Sequence, residues 1–148
     1  MDSGQTFSSS WASATSLVGN LLGFPAWLAV ALGGAFGALS RWQLSLWAQS
    51  SFGLSAPWSI AGINGMGGLL IGICLALSTD GILQGNWRLL LVTGFLGGFT
   101  TFSTFSVDLL QYLRDGAFKS FFLLACVSNG GGLLAAAVGF FGFRAIFR

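Results

Sequence analysis

The residues from Gly94 to Asp108 read GFLGGFTTFSTFSVD and combine glycines, hydroxyl side chains and evenly spaced phenylalanines. Five hydroxyl side chains lie between Thr100 and Ser106, inside an otherwise apolar part of the chain. A lipid-facing helix needs only apolar side chains, because the bilayer core holds no water to bind polar groups. The stretch therefore predicts a route for something polar across a membrane.

Two residue pairs in this stretch predict an interruption of the helix. Gly97-Gly98 followed closely by Thr100-Thr101 is poor helix-forming sequence. An interrupted membrane helix exposes carbonyl groups, which favour a cation, at one end and N–H groups, which favour an anion, at the other. The sequence therefore predicts a break in this helix at which an ion could bind.

The residues after the predicted break favour an anion. If helix resumes there, Phe102 and Phe105 share one face, and Ser103 and Thr104 lie beside them. Phenyl rings have an electropositive edge, so ring edges beside hydroxyl donors suit a small anion. We expect no carboxylate deep in a span to receive a cation.

Two other polar side chains lie within apolar segments. Asn64 is flanked by glycines, and its amide either faces a permeant anion or forms a hydrogen bond between helices. Arg41 either lines an aqueous vestibule, where it would attract anions, or extends its side chain to the membrane surface. Composition leaves both choices open.

The composition is typical of a membrane protein and not of an enzyme. Of 148 residues, 54% are hydrophobic and 7% are charged, and the mean hydropathy is +0.80, which leaves too few polar side chains for a soluble globule. The chain has no His and no Glu, so most general acid–base chemistry is excluded. No basic face for nucleic acid is evident at a net charge of +2.

Four segments are predicted to cross the membrane, since a span needs about 20 mostly apolar residues. They cover residues 25–47, 58–77, 89–112 and 118–143. Residues 1–24 are rich in Ser and Thr, contain no Lys or Arg, and are predicted to form a flexible tail. The expected fold is an all-α membrane protein with one four-helix domain, residues 25–148, and a break in its third span.

Helix packing and charge predict an oligomer. Small residues at four-residue spacing let helix backbones approach closely, and they occur in every span: Gly33 and Gly37, Gly68 and Gly72, Gly94 and Gly98, Gly132 and Ala136. Lys and Arg are nearly balanced between the two sides of the predicted topology, at three against two. A chain with so little bias can insert both ways round and pair antiparallel.

The chain resembles the Fluc (CrcB) family of microbial fluoride channels. Residues 33–42 (GGAFGALSRW) resemble the family's first helix, residues 64–72 (NGMGGLLIG) its second, and residues 94–106 its third. The third motif is the most specific. The resemblance implies an antiparallel, dual-topology homodimer in the cell membrane, with two pores through which fluoride leaves passively.

The resemblance also implies roles for individual residues. Asn64 would be the pore amide, and Arg41 would lie in the vestibule. The implied fluoride path is lined by Phe102, Ser103, Thr104 and Phe105, with Thr101 a weaker candidate. A sodium ion at the dimer axis would be held by the backbone carbonyls of Gly97 and Thr100 from both subunits.

Two positions depart from the family's pattern. Ser59-Ile60 stands where the family usually has Gly-Thr before the pore Asn. Ser128 matches a pore-side serine of the fourth helix, yet Leu124 occupies the position of the tyrosine one turn earlier. Either another residue such as Asn129 takes that role, or the outer pore is less polar.

Two other functions remain as alternatives. A small multidrug transporter also has four spans and pairs as a dimer, but it depends on a carboxylate in its first span, where this chain carries only Arg41. A structural membrane subunit would explain the glycines but not the hydroxyl and phenylalanine run. Pairing with an oppositely oriented homologue also stays open beside the homodimer.

Overall fold

A computed structural model describes residues 25–147, and every regular element in that range is helical. Helix α1 covers Ala26–Phe52 and α2 covers Ala56–Thr79. Helix α3 begins with Gly85–Arg88, continues in π-helical form over Leu89–Leu96 and ends with Gly97–Phe99. Helices α4 (Phe102–Arg114) and α5 (Phe118–Phe147) complete the fold. The all-helical class is thereby confirmed, while the predicted tail, residues 1–24, lies outside the described residues.

Local sequence sets the helix ends. Pro25 is the N-cap of α1, and Pro57 lies in the first turn of α2, where a missing N–H costs no helical hydrogen bond. Gly81 and Gly116 follow α2 and α4 with φ of +73° and +68°, a left-handed conformation that glycine adopts without a Cβ clash. The connections between consecutive helices are therefore short.

Three segments within residues 25–147 are long and apolar enough to cross a membrane. They are Ala56–Thr79, the combined segment Gly85–Arg114, and Phe118–Phe147. Helix α1 has 27 residues and is long enough, but it carries Arg41, Gln43 and Gln49 and is not among the three. The sequence prediction of four spans is thus supported for three of them.

The predicted small-residue pairs bring helices together in two layers. Helix α1 packs against α3: a Cβ on Gly37 would lie 2.8 Å from the Phe99 nitrogen, and one on Gly94 would lie 2.9 Å from the Gly33 Cα. Helix α2 packs against α5, because a Cβ on Gly72 would lie 2.8 Å from the Phe140 nitrogen. Real Cβ atoms do not approach so closely, so each position needs glycine.

Candidate functional site

The chain leaves helical geometry at Thr100 and Thr101, between α3 and α4. Thr100 has φ −84° and ψ 156°, and Thr101 has φ −147° and ψ 121°, so both residues are extended. This two-residue linker lies inside the apolar segment Gly85–Arg114. The carboxyl end of one helix and the amino end of another therefore meet within a single candidate span.

Asn64 of α2 holds the linker through both the N–H donor and the oxygen acceptor of its side-chain amide. Its Nδ2 donates to the Thr101 carbonyl oxygen at 3.1 Å, and its Oδ1 accepts from the Thr101 N–H at 2.9 Å. The side chain thus supplies the donor and the acceptor that extended backbone lacks at this point. Asn64 is half-buried, and only one of its two side-chain N–H groups has an acceptor among residues 25–147.

Thr101 caps α4 and gathers hydroxyl groups at its start. Its Oγ1 accepts from the Thr104 N–H at 3.3 Å and lies 3.3 Å from the Ser103 Oγ and 3.2 Å from the Thr104 Oγ1. The amino end of a helix carries a partial positive charge. Three hydroxyls at such an end form surroundings that favour an anion.

The two phenylalanines of the motif form a pair with unequal exposure. The ring centroids of Phe102 and Phe105 are 5.7 Å apart, and the ring planes are tilted by 52°. Phe105 is 5% exposed, while Phe102 is 74% exposed at the subunit surface. One ring is therefore fixed inside the subunit, and the other is presented outward.

A cavity of about 410 Å³ adjoins the linker. It is lined by α2, α3, the linker, the start of α4 and α5, and its lining includes Asn64, Gly67, Gly97, Thr101 and Phe102. A Cβ on Gly67 would collide with the Thr100 methyl group, so this glycine lets α2 lie close to the linker. The cavity brings Asn64 and the motif residues to one surface.

Arg41 contacts the carboxyl end of α3, immediately before the linker. The Arg41 Nε donates to the Gly98 carbonyl at 3.2 Å, and the Arg41 side chain is half-buried. The Thr101 N–H bonds to Asn64, so it is diverted from the Gly97 carbonyl that it would reach in a continuous helix. Gly97 and Thr100 both line the cavity. Carbonyl oxygens of this kind are suitable ligands for a hard cation.

Ser128, Asn129 and Leu124, which lie in the fourth predicted span and belong to α5, differ in their surroundings. The Ser128 Oγ is buried and has no hydrogen-bond partner among residues 25–147. Asn129 is exposed and donates through Nδ2 to the Ala125 carbonyl of its own helix at 2.8 Å. Leu124 is fully buried. Ser128 therefore retains an unused hydroxyl, whereas one donor of Asn129 is already used within α5.

Ser59 does not supply the cavity with a hydroxyl. Its side chain is 3% exposed, lies 2.8 Å from the Ser45 Oγ and donates to the Ala56 carbonyl at 2.8 Å. Gln49 extends this cluster by donating to the Ser45 Oγ at 3.0 Å. The hydroxyl of Ser59 therefore joins α1 to α2 away from the linker.

Sequence reasoning missed one buried carboxylate. Asp108 of α4 is 8% exposed, and its Oδ2 has no hydrogen-bond partner in the described part of the chain. Asp108 lies four residues before the end of the predicted span 89–112, so the expectation that no carboxylate lies deep in a span stays a prediction. The available signal was its position in the predicted third span, six residues before Arg114.

Comparisons with known proteins identify relatives over most of the chain. The sequence model of a family described as "CrcB-like protein, Camphor Resistance (CrcB)" matches residues 28–140. A protein of Thermus thermophilus named "Fluoride-specific ion channel FluC" is 45% identical over 119 residues, which are 80% of this chain and 94% of the relative. Proteins of the same name from Chromobacterium violaceum and Leptospira interrogans are 44% and 40% identical over 113 residues, or 76% of this chain and 89% of each relative.

Proposed function

The chain belongs to the CrcB family, and on that basis we propose that it is a fluoride-specific ion channel of the cell membrane. The relatives named above carry that function in their names. Fluoride enters cells as its neutral weak acid, dissociates in the more alkaline cytoplasm and is trapped there as the ion. A selective passive exit lowers the internal fluoride level, and hence its toxicity, without an energy source.

The observation that carries this function is the capped amino end of α4. The Thr101 hydroxyl lies 3.3 Å from the Ser103 hydroxyl and 3.2 Å from the Thr104 hydroxyl. All three are beside the paired rings of Phe102 and Phe105. Hydroxyl donors, a positive helix end and electropositive ring edges all favour an anion over a cation. Fluoride is small and strongly hydrated, so several donors are needed to replace its water.

The fluoride path follows the cavity surface and the residues next to it. Asn64 contributes its remaining N–H, and the path continues along Phe102, Ser103, Thr104 and Phe105. The unused hydroxyl of Ser128 belongs to the outer part of the path. Arg41 attracts anions to the entrance, because its charge lies beside the linker.

The functional unit is an antiparallel homodimer. In each subunit, α1 crosses the membrane in addition to the three apolar segments, which makes four spans. Near balance of Lys and Arg supports insertion in both orientations. Phe102, exposed beside the cavity, supports a second subunit that covers the path. A tag on the C-terminus tests this topology: it should react on both faces of the membrane, and reaction on one face only would refute dual topology.

A sodium ion is bound at the dimer axis by the carbonyl oxygens of Gly97 and Thr100 from both subunits. The Thr101 N–H supports this assignment, because it donates to Asn64 and so leaves the Gly97 carbonyl oxygen without its helical donor. Carbonyl oxygen is also the donor type that hard cations prefer. When bound, the ion would join the two subunits electrostatically at their linkers.

Ion efflux from liposomes tests the proposed function. Liposomes containing the purified protein are loaded with fluoride or with chloride, and ion-selective electrodes follow each ion after dilution. Fluoride should leave rapidly and chloride should be retained. A folded, dimeric preparation that releases no fluoride would overturn the proposal, and equal release of both ions would overturn its selectivity.

A further inference from the structure

The side chain of Thr100 is held at two points, although the proposed sodium site uses only its backbone carbonyl. Its Oγ1 donates to the Leu96 carbonyl at 2.9 Å. Its methyl group lies against Gly67 of α2, where an added Cβ would collide with it. A β-branched side chain is stiff about χ1, so Thr100 cannot turn without breaking one of these contacts.

The hydroxyl contact of Thr100 has a substitute. The Leu96 carbonyl also accepts from the Thr100 N–H at 3.0 Å. If the hydroxyl is removed, that carbonyl oxygen keeps a donor, and the cost of an unsatisfied buried acceptor does not arise. The contact between the methyl group and Gly67 has no such substitute.

The Thr100 methyl group alone fills the space over Gly67, which we call the Gly67 notch. Apart from that methyl, the atoms nearest to an added Cβ at Gly67 are the Phe99 Cδ1 at 3.6 Å and the Thr100 Cβ at 3.7 Å. Both are ordinary contact distances between apolar atoms. The notch therefore has room for one methyl group and not for two.

Gly67 and Asn64 hold consecutive linker residues against one face of α2. They are three residues apart, so they are neighbours on the helix surface. Asn64 bonds both backbone groups of Thr101, and the Gly67 notch receives the methyl of Thr100. Hydrogen bonds to Thr101 constrain the linker at one point, whereas the second contact, one residue earlier, also fixes its direction.

The direction of the linker determines where α4 begins. The Thr101 Oγ1 caps α4 and lies within hydrogen-bond distance of the Ser103 and Thr104 hydroxyls. The peptide bond between Thr100 and Thr101 is planar and rigid, so a shift of Thr100 away from α2 is passed on to Thr101. The three hydroxyls would then move relative to Asn64, which belongs to a different helix.

We propose that the Thr100 methyl group, seated in the Gly67 notch, is a positioning element that sets the fluoride conductance of each channel. The pair acts through the placement of the hydroxyls at the start of α4. This proposal rests on the proposed fluoride channel function.

An exchange of methyl groups tests the proposal. Gly67→Ala adds a methyl where that of Thr100 already lies, and Thr100→Ser removes the one from Thr100. Each substitution alone should lower the single-channel fluoride conductance in planar bilayers several-fold. The double variant again has one methyl group in the notch and should recover most of the conductance. Losses that combine in the double variant without recovery would overturn the proposal.

Gly62→Ala is the matched control for Gly67→Ala. It adds the same methyl group to α2 where no atom lies within 4 Å, and it should conduct as the wild type does. A substitution that only destabilises the dimer lowers the number of channels and leaves the conductance of each one unchanged. Wild-type conductance in the single channels of Gly67→Ala would therefore overturn the proposal.

Two substitutions of Thr100 cover the case in which Gly67→Ala does not fold. Thr100→Val keeps the methyl group in the notch and loses the hydroxyl, whereas Thr100→Ser does the reverse. The serine variant should have a lower single-channel fluoride conductance than the valine variant. Equal conductance or the opposite order would overturn the positioning role while the wild type still conducts fluoride. Absence of fluoride current from the wild type itself would instead refute the channel function.

Discussion

Asn64 is hydrogen-bonded to both backbone groups of Thr101, with Nδ2 donating to the carbonyl at 3.1 Å and Oδ1 accepting from the N–H at 2.9 Å. Thr101 in turn caps α4 and contacts the hydroxyls of Ser103 and Thr104. A side chain of α2 therefore fixes the position of the hydroxyls that begin α4. The amide serves as a support for the linker in addition to any contact with fluoride.

Asn64→Asp is expected to reduce fluoride flux about tenfold or more. The aspartate keeps an acceptor for the Thr101 N–H but sets a second oxygen against the Thr101 carbonyl, and a lost or mismatched buried hydrogen bond costs about 1–3 kcal/mol. It also adds negative charge to an anion path. Efflux from liposomes at equal protein density measures the change.

Gln84→Glu provides the matched control for that substitution. It makes the same amide-to-carboxylate change at an exposed residue between α2 and α3, and flux should stay within about twofold, because an exposed charge there is screened by salt. If Asn64→Asp conducted as the wild type does, the role assigned to the Asn64–Thr101 contact would be wrong.

Phe102→Ile is expected to lower fluoride flux several-fold while the subunit stays folded. The ring is 74% exposed, so its removal costs little packing, but the electropositive ring edges are lost. Phe52→Ile is the control, since Phe52 is also exposed, at 64%, and lies at the far end of α1. Equal efflux from the two variants would show that Phe102 does not contact the ion.

Gly37→Ala is expected to destabilise the subunit by about 1–3 kcal/mol, because overpacking forces helices apart. A Cβ at Gly37 would lie 2.8 Å from the Phe99 nitrogen, immediately before the linker. Gly142→Ala adds the same methyl group to α5 where no atom lies within 4 Å. Thermal unfolding in detergent should therefore separate the two variants, and equal midpoints would contradict the close α1–α3 packing.

Substitutions of Arg41 can separate its charge from its hydrogen bond to the Gly98 carbonyl at 3.2 Å. Arg41→Lys keeps the positive charge, whereas Arg41→Gln keeps a donor and removes the charge. If the charge draws fluoride to the path, the lysine variant should retain most of the flux and the glutamine variant should lose several-fold. The opposite order in an efflux assay would make Arg41 a structural support only.

The sequence was sufficient to predict the helices and the positions where helix backbones approach closely, because glycine spacing and hydropathy are local patterns. Which helices meet at those positions was not predicted. Gly33 and Gly94, or Gly72 and Ala136, are recognisable as close-approach positions without a structure, and both pairs meet in the fold. The limit of the pattern is visible in α1, whose length suits a span while Arg41 and two glutamines lower its apolar character.

Side-chain partners in the site could not be predicted, since they depend on how helices meet. Nothing in the order of residues indicates that Asn64 bonds to Thr101, 37 residues later, or that the Arg41 Nε reaches Gly98. Asp108 was missed for a related reason. Its position in the sequence permits either a solvated helix end or burial, and only the packing of α4 decides between them.

A reversal potential in planar bilayers, with fluoride on one side and chloride on the other, tests the central claim most directly. It reports the preference between the two anions independently of how much protein has inserted. A fluoride-specific channel predicts a reversal potential that follows the fluoride gradient and does not move when chloride is replaced by a larger anion. A reversal potential near zero at equal concentrations of the two anions would contradict the claim.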